Sequence, residues 1–91
     1  MTINWASKAL DDITRLYEFL QAVNQPAAAR VVQSLTKAPD KLLEHPRLGV
    51  QLEEFESRDV RRLLIGDYEM RYEIVAGDIF ILRIWHVRED R

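Results

Sequence analysis

Ninety-one residues, 47% of them hydrophobic, leave room for one small core and no second domain, so residues 1–91 read as a single domain. There is no cysteine, which excludes a disulfide framework, a thiolate metal site and a cysteine nucleophile, and suits a reducing, cytoplasmic setting. The formal net charge is −2, and ten Arg against three Lys favour planar pairing with carboxylates over diffuse attraction to phosphates, so sequence-specific nucleic-acid binding is not expected. The opening MTINWASKALDD lacks the apolar run of a secretory signal, and no stretch reaches membrane-spanning length, so a membrane partner is not expected either.

Thr2 to Trp5 reads as a short edge strand with Ile3 and Trp5 on one side. Ser7 is placed to N-cap the helix that follows, with Asp11 and Asp12 near its positive end. Ala9, Leu10, Ile13, Leu16, Tyr17, Leu20 and Val23 recur at three- and four-residue spacing and predict one buried stripe along that helix. Asn24-Gln25-Pro26 makes a corner, with Pro26 in the first turn of a second helix. That helix keeps its phase through Ala28, Val31, Val32, Leu35, Leu42 and Leu43, with a kink or break near Ala38 because Pro39 removes a backbone donor. It ends by His45, before Pro46, and Gly49 closes the corner. Two helices with one apolar side each form an antiparallel hairpin that needs a sheet to lie on.

The segment Val50 to Ser57 sets Glu53, Glu54 and Glu56 around Phe55 and reads as a solvated loop that pins the ring and offsets Arg58, Arg61 or Arg62. Three antiparallel strands follow, Val60 to Ile65, Tyr68 to Val75 and Ile79 to Trp85, joined by turns at Gly66-Asp67 and Gly77-Asp78. In the middle strand Tyr68, Met70, Tyr72 and Ile74 share the buried face, opposite Glu69, Arg71 and Glu73. Strict alternation in the last strand puts Phe80, Leu82 and Ile84 on one face and Ile79, Ile81, Arg83 and Trp85 on the other. Both sets are largely apolar, and one helical layer covers only one face. The second set is therefore either a partner-binding patch rimmed by Arg71 and Arg88, or is covered by the loop before Arg58 and by the tail. The predicted class is α+β: an N-terminal strand and a helical hairpin packed on a small antiparallel sheet.

No metal site or cofactor is expected: His45 and His86 lie far apart, and the three glycines sit singly in turns. The one constellation with catalytic potential is Arg83, Trp85, His86, Arg88 and Glu89. His86 with Arg83 and Arg88 would supply the proton transfers and cations needed to cleave RNA through its 2′-hydroxyl, with Trp85 stacking on a base. Alternatively, His86 is a partly buried structural histidine and Arg88 pairs with Glu89, Asp90 or Glu73.

Taken in order, five segments carry a resemblance. They are Trp5 with Ala9, Leu10, Ile13 and Tyr17; Asn24 to Ala28; His45-Pro46-Arg47-Leu48-Gly49; Val60 to Tyr68; and Leu82 to Asp90. Over nearly its whole length the sequence resembles the RelE/ParE superfamily of bacterial type II toxin-antitoxin toxins, whose genes also serve plasmid stabilisation. The resemblance implies the same α+β fold and an antitoxin whose C-terminal segment wraps the toxin. RelE-like members cut messenger RNA on the ribosome; ParE-like members block DNA gyrase and are not nucleases. RelE-like toxins carry an Arg after the Tyr that opens the middle strand, where this sequence has Glu69 after Tyr68. Arg88 matches a family Arg, but the tyrosine that follows it in RelE-like enzymes has no counterpart within these residues. The expectation is thus a ParE-like gyrase inhibitor without catalytic residues, binding its antitoxin through Arg71, Ile79, Ile81, Arg83, Trp85 and Arg88. The alternatives are a ribosome-dependent endoribonuclease using His86, Arg88 and Arg83, and an inactive homologue that only binds antitoxin.

Overall fold

In the computed structural model, which describes residues 1–89, the elements run β1 (Ile3–Trp5), α1 (Ser7–Gln21), α2 (Gln25–Lys37), α3 (Asp40–Glu44), β2 (Val50–Gln51), β3 (Asp59–Ile65), β4 (Tyr68–Val75) and β5 (Asp78–His86). They build a five-stranded sheet in the order β1-β5-β4-β3-β2. The last three strands pair antiparallel, as their turns dictate. β1 joins the edge of β5 in parallel, Ile3 opposite Ile79 and Trp5 opposite Ile81, so the sheet is mixed rather than all antiparallel. Among the described residues no helix is long and apolar enough to cross a membrane.

The helices start and stop largely where local chemistry requires. Ala6, in an extended conformation, is the N-cap of α1 and Ser7 its first helical residue, so the hydroxyl of Ser7 does not cap as expected. At α2 the Asn24 side chain accepts from the Ala27 N–H at 3.1 Å, with Pro26 in the first turn. Pro39 breaks the second helix between Lys37 and Asp40, and α3 stops at Glu44, one residue short of His45-Pro46. Their apolar sides close on the sheet through Ala9, Leu16, Leu35 and Leu42, packed against Met70, Tyr72, Ile79, Ile81 and Ile84. Burying each such Leu or Ile contributes roughly 1.5–3 kcal/mol.

Three local features shape the edges and faces of the sheet. Tyr72 reaches the turn after α3: its hydroxyl donates to Pro46 C=O at 2.7 Å and accepts from Gly49 N–H at 2.9 Å. A β-carbon on Gly49 would stand 2.8 Å from the Tyr72 ring and from Arg62 C=O, so close approach is what requires glycine there. The β4–β5 turn is Ala76-Gly77, both at positive φ, one residue earlier than Gly77-Asp78, because Val75 pairs with Asp78. Asp78 then accepts from the Thr2 N–H at 2.9 Å and hydroxyl at 3.0 Å, which ties down the N-terminus and holds its carboxyl below the usual range.

The third feature is a β-bulge. Arg71 faces Arg83 but Tyr72 faces Ile81, so Leu82 is an extra residue with no partner on β4. The bulge shifts the alternation of β5 by one residue at Leu82. Ile79 and Ile81 before it and Ile84 after it all point to the helices, each at 0% exposure. This overturns the expected face that grouped Ile79 and Ile81 with Arg83 and Trp85. The two isoleucines are core residues and are removed from the binding surface assigned to them.

Candidate functional site

With Ile79 and Ile81 in the core, the sheet face turned away from the helices carries Glu69, Arg71 and Glu73 of β4 and Arg83 and Trp85 of β5. Arginines stack along it. The Arg71 and Arg83 guanidinium groups lie 4.8 and 5.0 Å from the Trp85 ring centre, and Arg58 and Arg71 lie 5.6 and 5.8 Å from that of Phe55. Their stems and planar heads help to reduce Trp85 to 8% exposure. The expected greasy patch is therefore a roof of guanidinium groups. Its acids are held close: Glu69, only 2% exposed, accepts from Arg71 at 3.1 Å, and Glu73 accepts from Arg58 at 2.8 and 2.9 Å. The Arg58 hydrogen bonds, opposed by burial and helped by the Arg58 charge, hold the Glu73 carboxyl below its ordinary range. Arg58 thus pairs with Glu73 and Arg61 with Asp59, where the glutamates around Phe55 were the expected partners.

Arg83 is committed elsewhere. β1 covers the outer edge of β5 only as far as Ile81; beyond it α1 crosses the edge and its side chains take the place of a strand. Asp12 accepts from the Ile84 N–H at 2.8 Å, from Arg83 at 2.8 and 3.1 Å and from Arg15 at 3.1 Å, while Arg15 donates to the Ile84 C=O at 3.2 Å. Glu89 completes the seal by accepting from the His86 N–H at 3.0 Å and from Arg15. Burial by itself would raise the Asp12 pKa; the hydrogen bonds from Arg83, Ile84 and Arg15 and the Arg83 charge outweigh it and hold the carboxyl low. Asp12 is the residue that reading it as a helix-terminal acid misses. The signal was present in its phase, three residues after Ala9 and four before Leu16, on the buried stripe.

His86 lies on the opposite side of the sheet from Arg83. It lines a cleft of about 510 Å³ with Leu16, Phe19 and Leu20 of α1, Tyr68 of β4, Arg15, Arg88 and Glu89. Tyr68 meets the imidazole edge-on at 5.2 Å between ring centres; burial, then the Asp67 and Glu89 charges, pushes its phenol pKa up, so it stays protonated. Nδ1 of His86 accepts the Arg88 N–H at 3.1 Å, which places the ring proton of the neutral imidazole on Nε2. Of the three residues proposed for RNA cleavage, the structure brings His86 and Arg88 together in the cleft, whereas Arg83 lies across the sheet, bound to Asp12. A pairing of Arg88 with Asp90 lies outside the described residues.

Against known proteins, the family described as the ParE toxin of the type II toxin-antitoxin system parDE matches residues 3–91. The chain belongs to the ParE toxin family. Within the wider RelE/ParE superfamily, it is 30% identical over 83 residues to Toxin RelE2 of Caulobacter vibrioides, an alignment spanning 90% of each chain. Its fold overlays a chain of the chromosomal ParDE system of P. aeruginosa with a TM-score of 0.78 at 24% identity, covering 94% of this chain and 95% of that one. It overlays a chain of the intact E. coli RelBE toxin-antitoxin complex with a TM-score of 0.65 at 17% identity, covering 99% and 98%. These likenesses make the chain a type II toxin of the RelE/ParE superfamily and account for the two helices on a five-stranded mixed sheet.

Proposed function

We propose that this ParE-family toxin acts in the cytoplasm by binding DNA gyrase rather than by cutting RNA, and that a cognate antitoxin neutralises it. The observation that carries this reading is the engagement of Arg83, one of the two cations the nuclease reading calls on. Arg83 is held by a nearly buried Asp12 with two hydrogen bonds, and the residue after Tyr68 is Glu69, a buried carboxylate rather than a phosphate-binding Arg. Freeing Arg83 for a scissile phosphate would take two of its four hydrogen bonds from the buried Asp12 carboxylate, and Glu69 would repel the developing oxyanion. His86 is no better placed as a base, because its unprotonated nitrogen already accepts a backbone N–H. A protein that works by contact needs none of these groups free.

The test is a paired assay on the purified chain. Supercoiling by DNA gyrase is inhibited, messages on translating ribosomes stay intact, and the antitoxin abolishes the inhibition. Cleavage of ribosome-bound message, lost in His86→Ala or Arg88→Ala, would replace this reading with the endoribonuclease one.

A further inference from the structure

We infer that DNA gyrase meets this protein on the sheet face turned away from the helices, where a row of arginines, Arg62, Arg71 and Arg83, receives an acidic patch of the enzyme. The inference rests on the gyrase reading and adds to it a surface and a chemistry.

The row follows from strand register. Arg62 of β3 lies opposite Arg71 of β4, and Arg71 lies opposite Arg83 of β5. Residues directly opposite one another share a face, so three arginines cross three neighbouring strands in one line. Like charges so placed weaken a sheet. The acids that offset them are shielded from solvent: the side chains of Asp12, Glu69 and Glu73 are 5%, 3% and 14% exposed, against 37%, 25% and 49% for their partners Arg83, Arg71 and Arg58. The cations thus form the layer that solvent meets. Arg62 is exposed, and no hydrogen bond or ion pair with a described residue engages its guanidinium group. Arg71 gives Nη2 to Glu69, while its Nε is buried without an acceptor. Both hold donors that the folded chain does not use, and a carboxylate is an acceptor that the planar guanidinium fork fits.

The rest of the face suits a protein partner. Stacking on Trp85 and Phe55 holds the heads of Arg58, Arg71 and Arg83 in place, so little side-chain freedom is lost when a partner binds them. Val50 lies opposite Arg62 and is 63% exposed; Leu64, two residues along β3, is 56% exposed. Arginine set among aromatic and aliphatic side chains is the composition of protein interfaces. A nucleic acid fits the face less well. The chain carries a net charge of −2, and the exposed Glu53, Glu54 and Glu56 stand around Phe55, where they would repel a continuous phosphate backbone. Against a protein the same glutamates set the orientation: the partner's carboxylates lie over the arginine row and away from that loop.

The experiment measures binding of the purified full chain to DNA gyrase by calorimetry without DNA, beside inhibition of supercoiling. Arg62→Glu is expected to raise the gyrase Kd and the inhibitory concentration by about tenfold or more, with the difference narrowing as salt rises. Arg62→Lys keeps the charge without the fork and should fall between. Arg30→Glu makes the same charge change at an exposed position of α2 and is expected to move the Kd by less than about twofold. Because Arg62 is exposed and its loss relieves a like-charge pair, thermal melts should show Arg62→Glu at least as stable as wild type, which separates lost binding from lost folding. An Arg62→Glu variant that binds gyrase like wild type, or an equal effect of Arg30→Glu, would overturn the surface while leaving the gyrase reading in place. A wild-type chain that does not bind gyrase would overturn both. Arg62→Glu weakening antitoxin binding but not gyrase binding would assign the face to the antitoxin. A loss seen only with DNA present, matched by weaker binding of the free chain to duplex DNA, would assign the arginines to phosphates. Each of these last two results also refutes the inference.

Discussion

Replacing Asp12 with alanine tests whether side chains finish the β5 edge. Asp12 is 3% exposed and accepts four hydrogen bonds, from Ile84 N–H, from two nitrogens of Arg83 and from Arg15. Losing it leaves the Ile84 N–H without its partner between α1 and β5, at a cost of about 1–3 kcal/mol. The Arg83 and Arg15 side chains are 37% and 41% exposed, so water replaces much of what the carboxylate gave them. Each of those pairs is accordingly weighed on the scale of about 0.2–1 kcal/mol for exposed ion pairs. The expected loss is about 2–4 kcal/mol, a drop of roughly 10–25 °C in melting temperature for a domain of this size. Urea unfolding of the purified chain, followed by tryptophan fluorescence, measures it. Asp12→Asn keeps an acceptor for the Ile84 N–H and should lose about half as much. A loss below about 1 kcal/mol for the alanine variant would mean that solvent already reaches the edge and that side chains do not seal it.

Tyr72→Phe removes both hydrogen bonds that hold the turn after α3 and leaves Gly49 N–H and Pro46 C=O unpaired; it should cost about 1–3 kcal/mol in the same unfolding assay, and unchanged stability would refute the role given to that hydroxyl. Acid should destabilise the fold through Asp12, Glu73 and Asp78, whose carboxyls all sit below their ordinary range. Because the folded values are depressed, the stabilisation is complete above the unfolded carboxylate pKa of about 4 and is lost as pH falls through the lower folded values. A urea midpoint that stays flat from neutral pH to about pH 2 would contradict this, and Asp12→Asn should remove part of the acid limb.

Much of this molecule is legible in its amino-acid order, because local chemistry fixes it. Pro39 and Pro46 end helices by removing donors, Asn24 caps one, the glycine turns set three antiparallel strands, and the middle strand has one apolar and one charged face with nothing to disturb the alternation. The last strand is where that reasoning stops. IFILRIW supports two faces of similar hydrophobicity, so its pattern alone does not choose between an unbroken strand and one that skips a residue. Packing chooses: the bulge at Leu82 lets three isoleucines enter one core and turns Arg83 and Trp85 to the other side, which no local rule demands. The same holds for Asp12, an ordinary helix acid by sequence and an edge cap in the fold, since its partner Ile84 lies 72 residues away in the chain. Contacts over that distance depend on how the layers dock, and docking is a property of the whole core.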